Sequence, residues 1–443
     1  MIFSSGGKVV ADTFNTLVVD YGARGHALGL WLRQSPQCDG LFFTGDNDGM
    51  AQAGTILSIS DPTDIDAIEK AVVDHNVDLV VGGTERALAA GLTDRLKKRL
   101  RPVPTFGPCQ NAVFHTEASK GKAYKLMAEA GIPCPETWLF GSQAKALAFA
   151  EQHKGEPLVV KADGLGEHGN AVFICDSSEE VVAAIKACME ERRFGVAGDH
   201  IVIQRKEEGD GQGDEEMSAF FFVDGKNCSD GMGVRDYKRL RTGDTGPMTG
   251  GMGSYAPHRR WTPALGKWIA DNIVRPLIQA LVRRGIAYRG VLYVGIMFTK
   301  EGPKVLEFNC RFGDPEAQVL LPLILNDPYE IICACINGNL ARTPIYYKRT
   351  MYYVGAVMAS GGYPYAGEYK TGYEITGHDK LKASTRVLHA GTRRVGNKVE
   401  TAGGRVLTVL GWGRTLPKAA QKVNERLAEV NFRNSTFRLD IGS

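Results

Sequence analysis

Short apolar runs alternate with amphipathic segments along the first hundred residues of the chain. The runs TLVVD (16 to 20), LFFTG (41 to 45) and VDLVVGG (77 to 83) have the length and β-branched or aromatic content of buried strands. Apolar residues in the segments between them, ALGLWLRQS and DIDAIEKAVVDHN, recur with helical spacing. Strands that alternate with helices predict an α/β unit built on a parallel sheet.

The middle of the chain continues with mixed helix and strand patterns. SKGKAYKLMAEAGIP (119 to 133) predicts a helix that ends at a Gly and a Pro, and a further helix begins at Ser178. Predicted strands are PLVVKADG, AVFICDS, HIVIQRK and, as an antiparallel pair, GVLYVGIMFTK and VLEFN. The acidic, glycine-rich run EEGDGQGDEEM predicts a mobile hairpin or loop, and residues 231–257 predict a long functional loop before a helix at about 262–284.

Beyond about residue 344 the pattern changes to short strands and glycine turns, with one late helix at about 416–430. We therefore expect a multidomain protein of the α/β and α+β classes. The predicted parts are an irregular extension (1–15), an N-terminal α/β domain (16–118), a central domain (119–343) with a small lid subdomain (about 136–206), and a C-terminal mixed β domain (344–443).

Composition narrows the class of protein. The chain has 443 residues, 43% hydrophobic and 23% charged, which is typical of a globular protein with two to four domains. A net charge of +3 gives no support for a nucleic-acid or membrane partner. Nine scattered cysteines without a CxxC pair, and the lack of an apolar leader or membrane-length run, favour the cytoplasm. A monomer or small homo-oligomer is expected.

Charged residues are concentrated at the end of one predicted strand, in VLEFNCRFGDPEAQ (305 to 318). Glu307 and Asn309 are two residues apart, so their oxygen atoms would share one face of the strand and could bind Mg²⁺, or Mn²⁺, beside phosphates. Two polar residues on an edge strand are the alternative. Arg311 and Asp314 suit the recognition of a substrate carboxylate or phosphate, or else form an internal salt-bridge network.

Further candidates for anion binding lie elsewhere in the chain. Lys161 ends a β-branched run and Lys120 begins a helix, so both could contact phosphate oxygens, although ordinary lysines occupy such positions too. The turn GARGH (22 to 26) and the run from Asp236 to Gly251 offer backbone N–H donors, unless they are only structural turns. For His26 alone, packing is the favoured interpretation.

These runs together resemble the phosphoribosylamine–glycine ligase family of ATP-grasp enzymes. The resemblance covers about residues 16–441 and is strongest in DTGPMTGGMGSYAP, VLEFNCRFGDPEAQ, AVMASGGYP, and HAGT followed by GGRVLTV. It implies a pre-ATP-grasp domain, an ATP-grasp domain with its lid, and a C-terminal domain. It also implies a reaction of de novo purine biosynthesis, in which ATP phosphorylates glycine and the amine of 5-phosphoribosylamine attacks the resulting glycyl phosphate.

The resemblance further implies roles for matched residues. The implied metal ligands are Glu307 and Asn309. The implied nucleotide contacts are Lys120, Lys161 and Glu216. The implied catalytic residues are Arg311, Lys161 and Asp314. The implied substrate contacts are Gly22, Arg24, His26, Asp236, Lys238, Asp244, Thr245, Gly246, Gly250, Gly251 and Arg311.

The sequence departs from the family pattern at three places. The family turn Gly-Gly-Arg-Glu-His is here GARGH, and the family's Gly-Lys-Gly lid loop is here GEHGNAV, with Asn170 at the lysine position. Two adjacent glutamates after the strand HIVIQ are replaced by Gln204 and Arg205. Three hypotheses stay open: a glycine ligase with a divergent ATP pocket, a related ligase for another amino acid or amine, and a non-catalytic metabolite-binding relative.

Overall fold

The structure is a computed structural model that describes residues 2–4, 8–10, 13–165, 171–365, 367–380 and 382–443. Asn170, at the divergent position of the lid loop, lies outside the described residues. Strands β1 (Ile2–Ser4) and β2 (Lys8–Val10) pair antiparallel, so the N-terminal extension is not irregular throughout. The first strand of the main N-terminal sheet begins at Phe14, two residues before the predicted start.

The N-terminal region is a five-stranded parallel sheet in the order β5-β4-β3-β6-β7. Alternate residues of β3 enter two different apolar clusters, because both faces of the sheet are covered by helices. This confirms the predicted α/β alternation. The strands are β3 (Phe14–Val19), β4 (Cys38–Phe43), β5 (Thr55–Ile56), β6 (Leu79–Gly82) and β7 (Thr105–Phe106). The helices are α1 (Ala23–Leu32), α2 (Asp48–Ala53), α3 (Ile65–Asp74), α4 (Glu85–Ala89), α5 (Leu92–Lys97) and α6 (Gln110–Val113).

A small antiparallel sheet, in the order β10-β9-β11-β8, corresponds to the predicted lid. A π-helical turn (Phe114–Ala118) and helix α7 (Lys120–Glu129) lead into it. Helix α9 starts with a capping box in which Ser177 and Glu180 satisfy each other's backbone N–H groups. The lid elements are β8 (Thr137–Phe140), α8 (Gln143–Gln152), β9 (Leu158–Ala162), β10 (Val172–Cys175), α9 (Ser178–Met189) and β11 (Ile201–Arg205).

The central sheet begins with a long antiparallel pair, β17 and β18, as the sequence predicts. The helical segment predicted near 262–284 is also confirmed, with a π-helical turn (Ala270–Val274) between its two α-helices. The central elements are β12 (Glu216–Asp224), β13 (Met232–Asp236), β14 (Arg239–Arg241), β15 (Thr245–Met248), β16 (Gly253–Ala256), α10 (Pro263–Ile269), α11 (Arg275–Arg283), β17 (Arg289–Thr299), β18 (Gly302–Asn309), α12 (Glu316–Leu320) and α13 (Pro328–Asn337).

Two predicted loops differ from the structure. The run 231–257 is wrong as one continuous loop, because it contains the four strands β13 to β16. Each is only three to five residues long, too short for a clear periodic pattern, and β16 pairs with a strand that begins only at Tyr352. The run 207–217 joins β11 to β12, which lie in different sheets, so it is not a hairpin. Ion pairs of Asp210 with Arg260 and of Glu207 with Lys304 fasten it to the central region.

The C-terminal strands extend the central sheet. Pairing of β16 with β19 gives one nine-stranded sheet in the order β18-β17-β12-β13-β16-β19-β23-β20, with β24 beside β19. Backbone hydrogen bonds therefore cross the predicted boundary near residue 344. The C-terminal elements are β19 (Tyr352–Ser360), β20 (Thr385–His389), β21 (Thr392–Val395), β22 (Lys398–Thr401), β23 (Arg405–Gly413), α14 (Leu416–Leu427) and β24 (Ser435–Thr436). Across the part of the chain that the structure describes, every helix is too short or too polar to cross a membrane.

Candidate active site

Glu307, near the end of β18, separates two polar spaces. On one side a cavity of about 190 Å³, here called the lid cavity, lies between the lid sheet, helix α7 and β18. Glu307 and Asn309 both line it, as the period-two spacing of a strand predicts. On the other side Glu307 borders a much smaller space of about 10 Å³, here called the inner pocket, together with Asp236 and Lys238.

Two lysines from different elements form the cationic end of the lid cavity. Lys161, at the end of β9, donates from Nζ to the Leu306 carbonyl oxygen at 3.2 Å. Lys120, the first residue of α7, donates from Nζ to the Gly164 carbonyl oxygen at 2.9 Å. Asp163 fixes the start of α7, because its carboxylate accepts hydrogen bonds from Ser119 Oγ and the Gly121 N–H at 3.0 Å each. The two ammonium groups thus lie beside Glu307.

Burial and charge act in opposite directions on these groups. Burial lowers the pKa of Lys161 to about 8 and also lowers the pKa of Lys120, although Glu307 counteracts both effects. Burial opposes ionisation of Glu307, but the ammonium groups of Lys238, Lys161 and Lys120 outweigh it and lower the pKa of this carboxyl. Glu307 is therefore an anion surrounded by three cations, which suits a place where phosphate groups and a divalent metal ion meet.

The other end of the lid cavity is largely apolar. It is lined by Ala123, Met127, Val172, Val202 and Phe308. Gln204 reaches this end, and its amide donates to Thr137 Oγ1 at 2.9 Å. A cavity with one cationic and one apolar end suits a ligand that has an anionic tail and a flat aromatic head, such as a nucleotide.

Arg205 points away from this cavity. It forms ion pairs with Glu136 and Glu156 on the lid surface, at 3.1 and 3.3 Å. Of the two departures from the family pattern at the hinge, only Gln204 lines the cavity. The substitution of the second glutamate by Arg205 therefore leaves the described cavity wall unchanged.

In the inner pocket, several carboxylates surround one lysine. Lys238 Nζ is 3.6 Å from a Glu216 carboxylate oxygen, and despite burial the neighbouring carboxylates raise the pKa of Lys238 well above its usual value. Glu216, predicted as a nucleotide contact, thus lines the inner pocket and not the lid cavity. Asp236 Oδ1 is shielded from solvent without a hydrogen-bond partner among the described residues, and burial together with Glu316 raises the pKa of Asp236.

Arg311 lines the lid cavity and takes part there in an ion-pair network. Its Nε is 3.0 Å from Glu85, and its Nη2 is 3.0 Å from Glu117. Glu117 also accepts the backbone N–H of Cys310 at 2.7 Å. Burial opposes ionisation of Glu85, but Arg311 and Arg24 outweigh it and lower the pKa of Glu85 to about 2. The structure shows the salt-bridge network, which fixes the end of β18, and because Arg311 also lines the lid cavity its role as a substrate contact stays a prediction.

Asp314 joins three parts of the chain. Its Oδ2 is 3.3 Å from Arg405, which also donates to the carbonyl oxygens of Asp314 and Gly250 at 2.6 and 2.7 Å. A Cβ on Gly22 would lie 2.9 Å from Asp314 Oδ2, so the N-terminal glycine turn lies directly against this carboxylate. Arg24 donates to the Phe312 carbonyl oxygen at 3.0 Å. The structure therefore brings the GARGH turn and the VLEFNCRFGDPEAQ segment together.

Gly251 lies at the same junction. It has φ +112°, and a Cβ there would lie 2.4 Å from Pro315 Cδ and 2.9 Å from Asp236 Oδ1. Only glycine combines this backbone angle with such close packing at low cost. Gly250 and Gly251 are thus placed between Asp236, Asp314 and Arg405.

Other predicted substrate contacts lie apart from this junction. Asp244, Thr245 and Gly246 form the exposed tip of the β14–β15 hairpin, where Asp244 pairs with the buried Arg438 at 2.6 Å. His26 is buried, and its Nδ1 accepts the backbone N–H of His389 at 3.0 Å. These contacts support the packing interpretation of His26. The three hairpin residues lie on the surface of the protein.

The sequence analysis did not identify several residues around the site. These are Ser218, Glu85, Glu117, Asp163 and Arg405. Ser218 Oγ, for example, hydrogen-bonds to Glu316 Oε1 at 3.1 Å and to the Tyr293 hydroxyl at 2.8 Å, all three side chains being buried. Arg405 stands in the quoted GGRVLTV run and Asp163 in PLVVKADG, and these runs were the available signals.

A cationic and acidic cavity between a small antiparallel lid sheet and a larger sheet is the arrangement of an ATP-grasp protein. Family comparison agrees with this class: residues 118–317 match the phosphoribosylglycinamide synthetase ATP-grasp (A) domain. Residues 14–114 and 353–443 match the N and C domains of the same synthetase. The chain belongs to the phosphoribosylglycinamide synthetase family.

Individual relatives give the same result. A phosphoribosylamine–glycine ligase of Nostoc sp. is 39% identical, over 96% of this chain and 98% of the relative. A crystal structure of phosphoribosylamine–glycine ligase from Thermotoga maritima superposes with a TM-score of 0.79 at 28% identity, covering 96% of this chain and 99% of that one. The trifunctional purine biosynthetic protein adenosine-3 of Gallus gallus is 40% identical over 96% of this chain, which spans only 42% of that longer protein.

Proposed function

We propose that this chain uses ATP to join glycine to 5-phosphoribosylamine, giving glycinamide ribonucleotide, ADP and phosphate. The observation that supports this most is the position of Glu307 between the lid cavity and the inner pocket, beside Lys120, Lys161 and Lys238. Phosphates in the lid cavity and an acceptor carboxylate on the far side of Glu307 would meet across this residue. Family membership supports the same substrates.

The proposed reaction has two steps. In the first, a glycine carboxylate oxygen forms a bond to the γ-phosphorus of ATP while the bond from that phosphorus to the β–γ bridging oxygen breaks, and ADP leaves. In the second, the nitrogen of 5-phosphoribosylamine attacks the acyl carbon, phosphate leaves, and the nitrogen loses one proton. Since carboxylate and triphosphate repel each other, the lysines on both sides of Glu307 would offset that repulsion.

The residues present also fit a magnesium ion. Glu307 supplies an anionic oxygen and Asn309 a neutral one on the same cavity wall, which are the hard ligands that Mg²⁺ and Mn²⁺ prefer. A bound divalent ion would neutralise phosphate charge as it develops during transfer. Lys120 and Lys161 would hold the phosphates, and Gln204 would face the base.

The inner pocket and the Asp314 junction are the proposed binding region for the two substrates other than ATP, glycine and 5-phosphoribosylamine. Asp236 Oδ1 is a buried acceptor that lacks a partner among the described residues, so an amine donor would satisfy it. Asp236→Asn should raise the KM for the amine or amino-acid substrate by about tenfold or more while leaving the affinity for ATP unchanged, because it weakens one charge-assisted hydrogen bond. Initial rates at varied concentrations of each substrate measure this; an equal effect on ATP would contradict the placement.

The test of the function is ADP release in the presence of Mg²⁺, with glycine and 5-phosphoribosylamine supplied together and separately. Release that needs both is the expected result. Release with glycine and a different amine would instead indicate a related ligase. Folded protein that releases no ADP with any pair would contradict a catalytic function and favour a binding role.

The altered GARGH turn favours one second candidate, a ligase with a different amine substrate. A Cβ on Gly25 would lie 2.2 Å from Met50 Cε and 2.8 Å from Asp20 Cβ. A glutamate therefore does not fit at this position unless both Met50 and Asp20 move. Since this turn adjoins Asp314 through Gly22, we expect its change to affect the binding of the amine substrate and not of ATP.

The pKa of Lys161 predicts how ATP affinity depends on pH. Burial lowers this pKa to about 8, and bound phosphate oxygens would raise it, so ATP binding is favoured by the protonated form. Affinity should stay constant below pH 8 and fall by up to about tenfold per pH unit above it, since one proton is taken up on binding. Calorimetric titration with ATP from pH 6.5 to 9.5 measures this, and Lys161→Arg should remove the dependence over that range. A flat profile for the unaltered protein would contradict the assignment.

The cytoplasm is the proposed location. All nine cysteines are free thiols in the structure, as expected in a reducing compartment. A monomer or a small homo-oligomer is the proposed state, and analytical ultracentrifugation would distinguish the two.

A further inference from the structure

A second cluster of possible ligands lies where the N-terminal and C-terminal regions meet, outside the lid cavity and the inner pocket. Asp48 belongs to α2, His378 to the loop before β20, and His389 to the end of β20. One ligand atom from each of the three lies within 4.8 Å of the other two. We propose that Asp48, His378 and His389 form a binding site for a divalent transition-metal ion such as Zn²⁺, which joins the two regions.

The donor set decides the class of metal. Two imidazole nitrogens with one carboxylate oxygen are ligands that suit Zn²⁺ and neighbouring transition metals. Mg²⁺ prefers oxygen ligands and would select Glu307 and Asn309 instead. Three protein ligands leave at least one coordination position open, and His378 and His389 line a cavity of about 830 Å³ from which water or a small ligand can reach it.

Asp48 keeps a free lone pair for the ion. Arg394 donates from Nε to Oδ1 at 2.7 Å and from Nη2 to Oδ2 at 3.0 Å, and Gln52 donates to Oδ2 at 2.7 Å. A carboxylate offers about four lone-pair positions, so these three hydrogen bonds leave one on Oδ1. The same hydrogen bonds fix the orientation of the carboxylate, as outer partners do at metal sites. The guanidinium charge lowers the affinity but does not block the ligand atom.

His389 is oriented in the same way. Its Nδ1 is 3.1 Å from Thr392 Oγ1, and that hydroxyl oxygen also accepts the backbone N–H of Asp48 at 3.3 Å. A hydrogen bond from Nδ1 to Thr392 would leave the Nε2 lone pair of His389 available for a metal. Burial lowers the pKa of His389 to about 4, so the imidazole is neutral near pH 7 and does not repel a cation.

His378 lacks a hydrogen-bond partner at Nδ1. This nitrogen is shielded from solvent and unpartnered among the described residues, a condition that a ligand outside the chain would relieve. The loop that carries it is held in place by the buried Arg426, which donates to the carbonyl oxygens of Gly377 and Lys380 at 2.7 and 2.8 Å. The site is thus built from three fixed elements.

Cobalt substitution tests this proposal. The full chain, freed of metal by a chelator and held in excess Mg²⁺, is titrated with Co²⁺ and then with Zn²⁺, while visible absorption and elemental analysis record binding. One Co²⁺ per chain is expected, with d–d bands, without thiolate-to-cobalt charge transfer, and with displacement by Zn²⁺. His378→Gln and Asp48→Asn should each weaken binding by at least about tenfold.

Matched variants separate this site from others in the chain. His200→Gln, at an exposed histidine of the lid, should bind Co²⁺ unchanged. Glu307→Gln should also bind it unchanged, since Glu307 belongs to the magnesium ligands. Binding that persists in both His378→Gln and Asp48→Asn, folded by circular dichroism, would overturn the proposal, as would a thiolate band. If one of these two variants fails to fold, the other, together with the cobalt spectrum of the unaltered chain, decides the result.

Discussion

Glu307→Gln should lower the rate of ADP release by about a thousandfold or more while leaving the protein folded. The change removes the anionic oxygen that we propose as a metal ligand, an interaction worth several kcal/mol at the transferring phosphoryl group, and about 1.4 kcal/mol corresponds to a factor of about ten in rate. It also leaves Lys120, Lys161 and Lys238 without their shared carboxylate. Steady-state assays at saturating Mg²⁺ and ATP measure the effect.

Glu301→Gln is the matched control, because Glu301 lies at the turn of the same β17–β18 hairpin with its side chain 77% exposed. This variant should retain full turnover, since its ion pair with Lys304 lies at the surface. Undiminished turnover in Glu307→Gln would show that Glu307 does not bind the metal. Equal losses in both variants would point to damage of the hairpin and not to lost chemistry.

Arg311→Met should lower the free energy of unfolding by about 3 kcal/mol or more. The substitution leaves the carboxylates of Glu85 and Glu117 without their common cation, and breaking a buried ion pair from one side typically costs about 3 to 5 kcal/mol. Because the chain has several domains, urea unfolding should be followed by probes in more than one region. The affinity for ATP should fall as well, since this network fixes the end of β18.

The pH dependence of this loss has a definite sign. In the unaltered protein the pKa of Glu85 is about 2, so its stabilising contribution is complete above its usual pKa and is lost as pH falls toward 2. In Arg311→Met both carboxyls are buried without their common cation, so their pKa values rise and protonation reduces the destabilisation. The destabilisation should therefore be larger at pH 7 than at pH 4.5. Glu117→Gln added to Arg311→Met should recover part of the stability; a constant loss at both pH values would contradict this explanation.

Much of the candidate site could be predicted from local sequence. Lys120, Lys161, Glu307 and Asn309 stand at ends of helices and strands, where a polar side chain after an apolar run is conspicuous. The structure places all four around the lid cavity. Glu216 could not be placed this way, because whether it faces the lid cavity or the inner pocket depends on which strand lies beside it.

Contacts between side chains that are far apart in the chain could not be predicted from the sequence. Arg311 pairs with Glu85, 226 residues away, and Arg405 reaches Asp314 across 91 residues. No periodic pattern encodes such pairs, so the sequence left a substrate contact and a salt-bridge network both open for Arg311, and only the structure identified its partners. Asp244 stands in a glycine- and threonine-rich motif that was predicted to contact substrate. In the structure this motif lies at the surface, because β14 and β15 turn it away from Asp236, Asp314 and Arg405.

The sequence by itself determined the alternation of helices and strands and the residues at the ends of β9 and β18, because periodicity and end signals are local properties. It also indicated the family, through runs such as VLEFNCRFGDPEAQ that resemble those of known members. Only the tertiary structure decided that one sheet runs through the central and C-terminal regions, and that Glu307 separates two polar spaces. It alone also brought Asp48 to His378 and His389. The physical reason is that burial, and with it the strength of each charge and the cost of each unpaired polar atom, depends on contacts between residues far apart in the chain.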